Sequence, residues 1–281
     1  MRKGFVLAVA AGCLLMSCKD KKMTNVFDTE DEPEEDSVEA FIGDTLHLFD
    51  EIEPPAAVDE LFDDFLYNFI DDAHFQGQRI VYPLPCKTGD EEEKLTQQEW
   101  PQYDHFKNQE LLSVIYEREQ DFVLSKDTSM QSVAVEWIGL KSDEVEKFHF
   151  NRVENKWMLT EIDKKHRSEI PNGDFLNFYA RFVADSIFQR EALAEPVKVI
   201  LTSEDGEEEP QEEHLNADEW FEMRQSLPLP TDAIVNVNYG QASISQNRKI
   251  LMLQGLGNGM QMKFKFNKQD DGWKLMEIEY S

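Results

Sequence analysis

Asp63 and Asp64 stand side by side in the apolar stretch "LFDDFLYNFI". Two carboxyls so placed could divide acid–base catalysis between them, one kept protonated and the other ionised. Six histidines, His47, His74, His105, His149, His166 and His214, are the other groups able to exchange protons near neutral pH. None has a histidine or cysteine at metal-ligand spacing, and a zinc site or a Ser-His-Asp arrangement would need distant segments to converge. "GLGNG", residues 255–259, comes nearest to a phosphate loop. It lacks the third glycine of the dinucleotide fingerprint and lies between two strand patterns, so a hairpin turn is the better reading. The acidic runs "GDEEE" from Gly89 and "GEEEPQEE" from Gly206 could gather oxygens around calcium. The alternating ligands and turn glycine of a helix-loop-helix calcium site are missing, which favours solvated hairpin loops. No pattern of basic residues around Cys86 argues for a lowered pKa, and it reads as a buried strand-end residue. These readings assign no catalytic residue, no metal ligand and no cofactor, and they lean away from an enzyme.

An internal repeat tests each candidate. Phe62, Phe65, Phe69 and Phe75 recur as Phe175, Phe178, Phe182 and Phe188 at a constant spacing of 113 residues, and Gln76 and Pro83 recur as Gln189 and Pro196. "LTQQEW" returns as "LNADEW", and "KFHFNRVENKWMLTEI" from Lys147 returns as "KFKFNKQDDGWKLMEI" from Lys263. The chain therefore reads as two copies of one unit. Asp63 and Asp64 correspond to Leu176 and Asn177, so a solvated helix face explains them better than a catalytic pair; His149 corresponds to Lys265. The polar matches that persist are Asp72/Asp185, Gln76/Gln189, Glu99/Glu219, Lys147/Lys263, Asn151/Asn267 and Glu161/Glu277. They fall where caps, turns and exposed strand faces are expected. Trp100/Trp220 and Trp157/Trp273 are duplicated and read as core. Tyr67 and Trp137 have no aromatic counterpart and are the candidate pocket residues.

Each copy opens with a helix. Val58, Leu61, Phe62, Phe65, Leu66, Phe69 and Ile70 form one apolar stripe, repeated by Phe175, Phe178, Tyr179, Phe182 and Val183. Pro54-Pro55 and Pro171-Asn172 punctuate the two starts. Short strand patterns follow: "VAVEWIGL" and "KILMLQGL", then hairpins turning at "NRVENK" and "NKQDDG". In "KFHFN" the phenylalanines alternate with polar residues, as a half-exposed antiparallel sheet requires. The predicted class is α+β, with two tandem units at 58–165 and 172–281, each an N-terminal amphipathic helix packed on a curved antiparallel sheet.

Charge narrows the partners. With 57 acidic against 28 basic residues and a net charge of -29, the chain is a poor match for nucleic acid, whose binders replace condensed counterions with Lys and Arg. The same charge repels anionic headgroups, so membrane association needs a hydrophobic or covalent device. Arg2 and Lys3 followed by an apolar stretch to Met16 have the form of an export signal too short to span a bilayer. Residues 18–57, rich in acid and proline, read as a disordered tether interrupted by the apolar island "FIGDTLHLF".

At the end of the leader, Leu15, Ser17 and Cys18 resemble the lipobox of bacterial lipoproteins. The resemblance implies a signal peptide over 1–17, cleavage before Cys18, and lipidation of that residue by palmitate-type acyl chains, an anchor far firmer than one myristoyl group. With Cys13 removed and Cys18 lipidated, Cys86 alone remains, so no internal disulfide is expected. The helix-first order with a late tryptophan resembles the cone-shaped α+β fold of the nuclear-transport-factor-two-like superfamily. Lipobox, acidic tether and repeat together resemble a group of lipoproteins of unknown function common in Bacteroides-like bacteria. These resemblances imply a Gram-negative cell-envelope location, periplasmic or surface-exposed. The leading functional reading is a non-enzymatic module binding a small apolar or glycan ligand or an envelope protein. The alternatives are a carboxylate-dependent hydrolase, dehydratase or isomerase in one cone, and an assembly scaffold.

Overall fold

The computed structural model describes residues 56–100, 105–202, 209–243 and 245–280. The expected signal peptide, Cys18 and the expected tether as far as residue 55 lie outside the described residues. The elements, in order, are α1 (Phe62–Asp71), α2 (Ala73–Gln78), β1 (Leu84–Thr88), β2 (Glu91–Leu95), β3 (Leu111–Tyr116), β4 (Ser132–Gly139), β5 (Glu144–Val153) and β6 (Lys156–His166). The second half has α3 (Gly173–Ala184), α4 (Ser186–Glu191), β7 (Leu193–Leu201), β8 (Gln211–Leu215), α5 (Ala217–Met223), β9 (Ala233–Asn238), β10 (Arg248–Gly255), β11 (Gln261–Gln269) and β12 (Gly272–Tyr280). Among the described residues no helix is long and apolar enough to cross a membrane.

The apolar stripe makes α1, but four residues later than its spacing predicts, because Ala56–Asp59 form a 3-10 turn and Leu61 is extended. Phe62, Phe65, Leu66 and Phe69 are buried on one face. Asp72 is also extended and ends α1; its Oδ1 accepts from the backbone N–H of His74 at 2.8 Å and Phe75 at 3.2 Å, so the same residue caps α2. Asp185 does the same between α3 and α4, accepting from Ile187 and Phe188 N–H at 3.0 Å. The Asp72/Asp185 match is thus a bend-and-cap residue, a role typically worth about 1 kcal/mol. Gly173 opens α3 where an added Cβ would lie 1.9 Å from the Arg167 carbonyl oxygen, so the close approach of two backbones there demands glycine.

The two halves do not build separate sheets. A single 12-stranded sheet runs β2-β1-β6-β5-β4-β9-β3-β10-β11-β12-β7-β8. β4-β5-β6 and β10-β11-β12 are antiparallel meanders, while β1 and β7 join β6 and β12 in parallel. At the centre the halves exchange strands. β3 pairs antiparallel with β10 of the second half, and β9 pairs antiparallel with β4 of the first. The expectation of two self-contained helix-on-sheet units is corrected here: the chain segments repeat, but each half completes the other's sheet.

Side-chain alternation explains how the exchange is stabilised. Val114 and Tyr116 on β3 join the core of Phe62, Phe65, Phe69, Phe150 and Trp157, whereas Ile115 joins that of Phe175, Phe178, Phe182, Phe266 and Trp273. On β10, Ile250 and Met252 go to the first core and Leu251 and Leu253 to the second. Neighbouring residues of a strand point to opposite faces, so the two cores lie on opposite faces of shared central strands. Both aromatic ridges pack edge-on against the sheet: Phe69 meets Phe150 at 5.1 Å and 89°, and Phe182 meets Phe266 at 5.7 Å and 89°.

Candidate functional site at the exchange seam

β3 and β9 run parallel, with Ser113 and Asn236 as their paired residues. Buried backbone groups need partners, and at this seam side chains supply them. The Ile115 N–H donates to Asn236 Oδ1 at 3.0 Å, Ser113 Oγ donates to the Val235 carbonyl at 3.2 Å, and Gln241 Nε2 donates to the Ile115 carbonyl at 2.9 Å. Asn236 Nδ2 in turn donates to Glu136 Oε2 at 2.9 Å. Asn238 Nδ2 reaches Glu136 Oε1 at 3.1 Å, and Lys147 Nζ lies 3.3 Å from the same oxygen. Glu136 is a buried carboxylate whose two oxygens are both used.

Beyond the C-terminal ends of β3 and β9 is a cavity of about 120 Å³, bordered by Glu117, Glu136, Asn172, Ser243 and Lys249. Glu117 and Lys249 form a buried ion pair at 2.6 Å, their side chains 3% and 5% exposed. Lys249 Nζ also donates to Asn172 Oδ1 at 3.0 Å and Ser243 Oγ at 3.2 Å, and Glu117 accepts from the Ser245 N–H. Each charge is paired and hydrogen-bonded, the condition under which burial is tolerated. A network so fully occupied holds the seam together and offers no free acid or base.

The opposite end of the seam has a different character. Around the N-terminal ends of β3 and β9 lies a cavity of about 330 Å³ walled by Leu111, Leu112, Leu229, Ile234, Val235 and Leu253. The exposed Asn108 and Glu110 stand among its lining residues. Apolar walls with a few polar groups, at the lower end of ligand-pocket volumes, suit a small apolar molecule.

The sequence candidates are dispersed. Asp63 is half-buried and accepts from the Tyr239 hydroxyl, a residue of the second half, while Asp64 is exposed. Burial pushes the Asp63 carboxyl up; the Tyr239 hydrogen bond opposes this, and the Asp64 charge adds to it. Asp63 is therefore an inter-half contact, not part of a solvated face. Tyr67 is 43% exposed on α1 beside Gly257, and Trp137 stacks on His105 at 4.5 Å; neither lines either cavity. Two of the repeated polar pairs, Gln76/Gln189 and Glu99/Glu219, are structural. Trp100 Nε1 donates to Gln76 Oε1 at 2.8 Å and Trp220 Nε1 to Gln189 Oε1 at 3.3 Å, while Glu99 and Glu219 accept from the Thr96 and Asn216 N–H groups at 2.8 Å. Cys86 is buried in β1, "GLGNG" is the β10–β11 turn, and Gly89 turns β1 into β2.

Sequence spacing missed a cluster of His149, Glu161 and Asp163, whose ligand-type atoms all lie within 4.8 Å of one another. A bulge between His149 and Phe150 sets His149 opposite Glu161 instead of Thr160. The His149 Nε2 to Asp163 Oδ2 distance is 3.0 Å. Burial raises the Asp163 pKa, but the hydrogen bond and charge of His149, with Lys165, outweigh it and hold the carboxyl below its ordinary value.

A few helices packed on a mixed, mostly antiparallel sheet are the arrangement of the NTF2-like class of α+β proteins. Residues 44–280 match the family described as Domain of unknown function (DUF4348), and the chain belongs to that family. It is similar to an NTF2-like protein from Bacteroides fragilis known from a crystal structure: the two share 38% identity over 80% of this chain and 97% of that one, with a TM-score of 0.72. No curated protein matches the chain.

Proposed function

We propose that this protein is a lipid-anchored, non-enzymatic binding module of the bacterial cell envelope, a duplicated pair of cones that takes a small apolar ligand in the cavity at the N-terminal ends of β3 and β9. The observation that carries the binding reading is the contrast between that apolar cavity and the rest of the seam. Both aromatic cores are filled by their own rings, and the buried carboxylates Glu117 and Glu136 are held by named partners. A lipobox ending at Cys18 and the acidic tether support the anchor and the location.

Nile red tests the cavity, because a neutral probe is not repelled by a chain of net charge -29. The protein should bind it saturably with a blue-shifted emission, and Ala233→Phe, which fills the cavity from β9, should abolish that binding with the circular dichroism intact. Saturable binding that Ala233→Phe leaves unchanged contradicts the reading. The anchor is checked by growing cells on a labelled fatty acid: label should enter the wild type and not Cys18→Ala, and equal labelling of both would refute it.

A further inference from the structure

We propose that His149, Glu161 and Asp163 form a binding site for a divalent transition-metal ion of the zinc class on the outward face of the β5–β6 hairpin. His149 and Glu161 are register partners across the two strands, and Asp163 lies two residues along β6 on the same face. Their ligand atoms fall within 4.8 Å of one another, with His149 Nε2 and Asp163 Oδ2 at 3.0 Å. Tetrahedral zinc with bonds of about 2.0–2.1 Å holds its ligands roughly 3.3 Å apart, so modest side-chain rotation closes the site. One imidazole and two carboxylates suit zinc, cobalt or nickel; calcium instead requires six or more oxygens. The fourth position would face solvent.

The second half supplies independent support, because there the same positions already hold a cation. Glu277 corresponds to Glu161, Glu279 to Asp163, and Lys265 to His149. The Lys265 ammonium sits 2.7 Å from Glu277, 3.2 Å from Glu279 and 2.8 Å from Glu119. A carboxylate pair at this point of the sheet is thus balanced by a fixed positive charge. In the first half an imidazole takes the ammonium's place and can lend a lone pair to an exchangeable ion. Two lysines partly compensate meanwhile. Lys87 contacts Glu161, Lys165 Nζ lies 3.5 Å from Asp163, and both lysine side chains are 40% exposed and free to swing outward.

Calorimetric titration of the full chain with zinc chloride, paralleled by the visible absorption of added cobalt, tests the site. The wild type should show one saturable event in the micromolar range with cobalt bands of low coordination number. His149→Lys, which copies the second half, and His149→Gln, which keeps the side chain polar and neutral, should each weaken binding by at least the roughly tenfold that loss of an outer-shell partner alone costs, with unchanged circular dichroism. Lys87→Ala should tighten it. No saturable event in the wild type, or the same event in both His149 variants, overturns the proposal, the latter by placing the ion elsewhere on the acidic surface.

Discussion

The two halves carry the same aromatic ridge but clamp it to the sheet differently. In the first, Asp59 accepts a two-pronged hydrogen bond from Arg79, at 2.9 and 2.8 Å, and a third from the Trp157 N–H at 3.0 Å. The Asp59 and Arg79 side chains are 9% and 3% exposed. In the second, Asp174 accepts from Trp273 Nε1 at 3.1 Å and Lys268 at 2.8 Å, with its side chain 71% exposed. Duplication has preserved the apolar packing, which depends on residue size and spacing, while the polar clamp has moved from the interior to the surface. The difference also sets the energetic stakes. A buried charge left without its partner is costly, whereas an exposed ion pair contributes little.

A urea-unfolding series breaks this comparison from its strongest side first. Asp59→Ala leaves Arg79 buried and unpaired and should cost about 3–5 kcal/mol. At the seam, Asn236→Ala strips partners from the Ile115 N–H and from Glu136 and should cost about 1–3 kcal/mol. Asp174→Asn, at the exposed clamp, should cost less than about 1 kcal/mol. Its effect also carries a pH signature. Lys268 first, then Trp273, hold the Asp174 carboxyl below its ordinary 3.8, against a smaller opposing effect of burial. A depressed folded-state pKa stabilises above the unfolded value and fades as pH falls through the folded one. The gap between wild type and Asp174→Asn should therefore close as the pH drops below about 3.8. Equal costs at Asp59 and Asp174 would show that the clamps are equivalent after all.

What was legible in the sequence is what local spacing controls. The phenylalanine ridges, the bend-and-cap aspartates and the paired tryptophans were visible because helix period and short-range capping decide them. Strand exchange escapes local spacing, because a strand's partner is chosen by contacts far along the chain. A signal for it was nevertheless present. "LLSVIY" and "AIVNVN" are nearly continuous apolar runs, broken by Ser113 and Asn236, as befits strands covered on both faces. "KFHFN" in β5 alternates instead, with only one face in the core. Cluster geometry at His149 was beyond reach for a further reason. The bulge that turns Glu161 and Asp163 toward His149 also lets Leu159 and Ile162 both enter the core, and an alternation pattern does not reveal where such an extra residue sits. An equivalent irregularity between Lys265 and Phe266 brings Lys265 opposite Glu277 in the second half.

The central claim is that each half lends a strand to the other, and interstrand amide NOEs on the deuterated full chain test it most directly. The account predicts contacts between Glu136 and Asn236 and between Val114 and Met252, register partners across β4–β9 and β3–β10 whose N–H groups face each other. NOEs joining β3 to β4 and β9 to β10 in their place would contradict it.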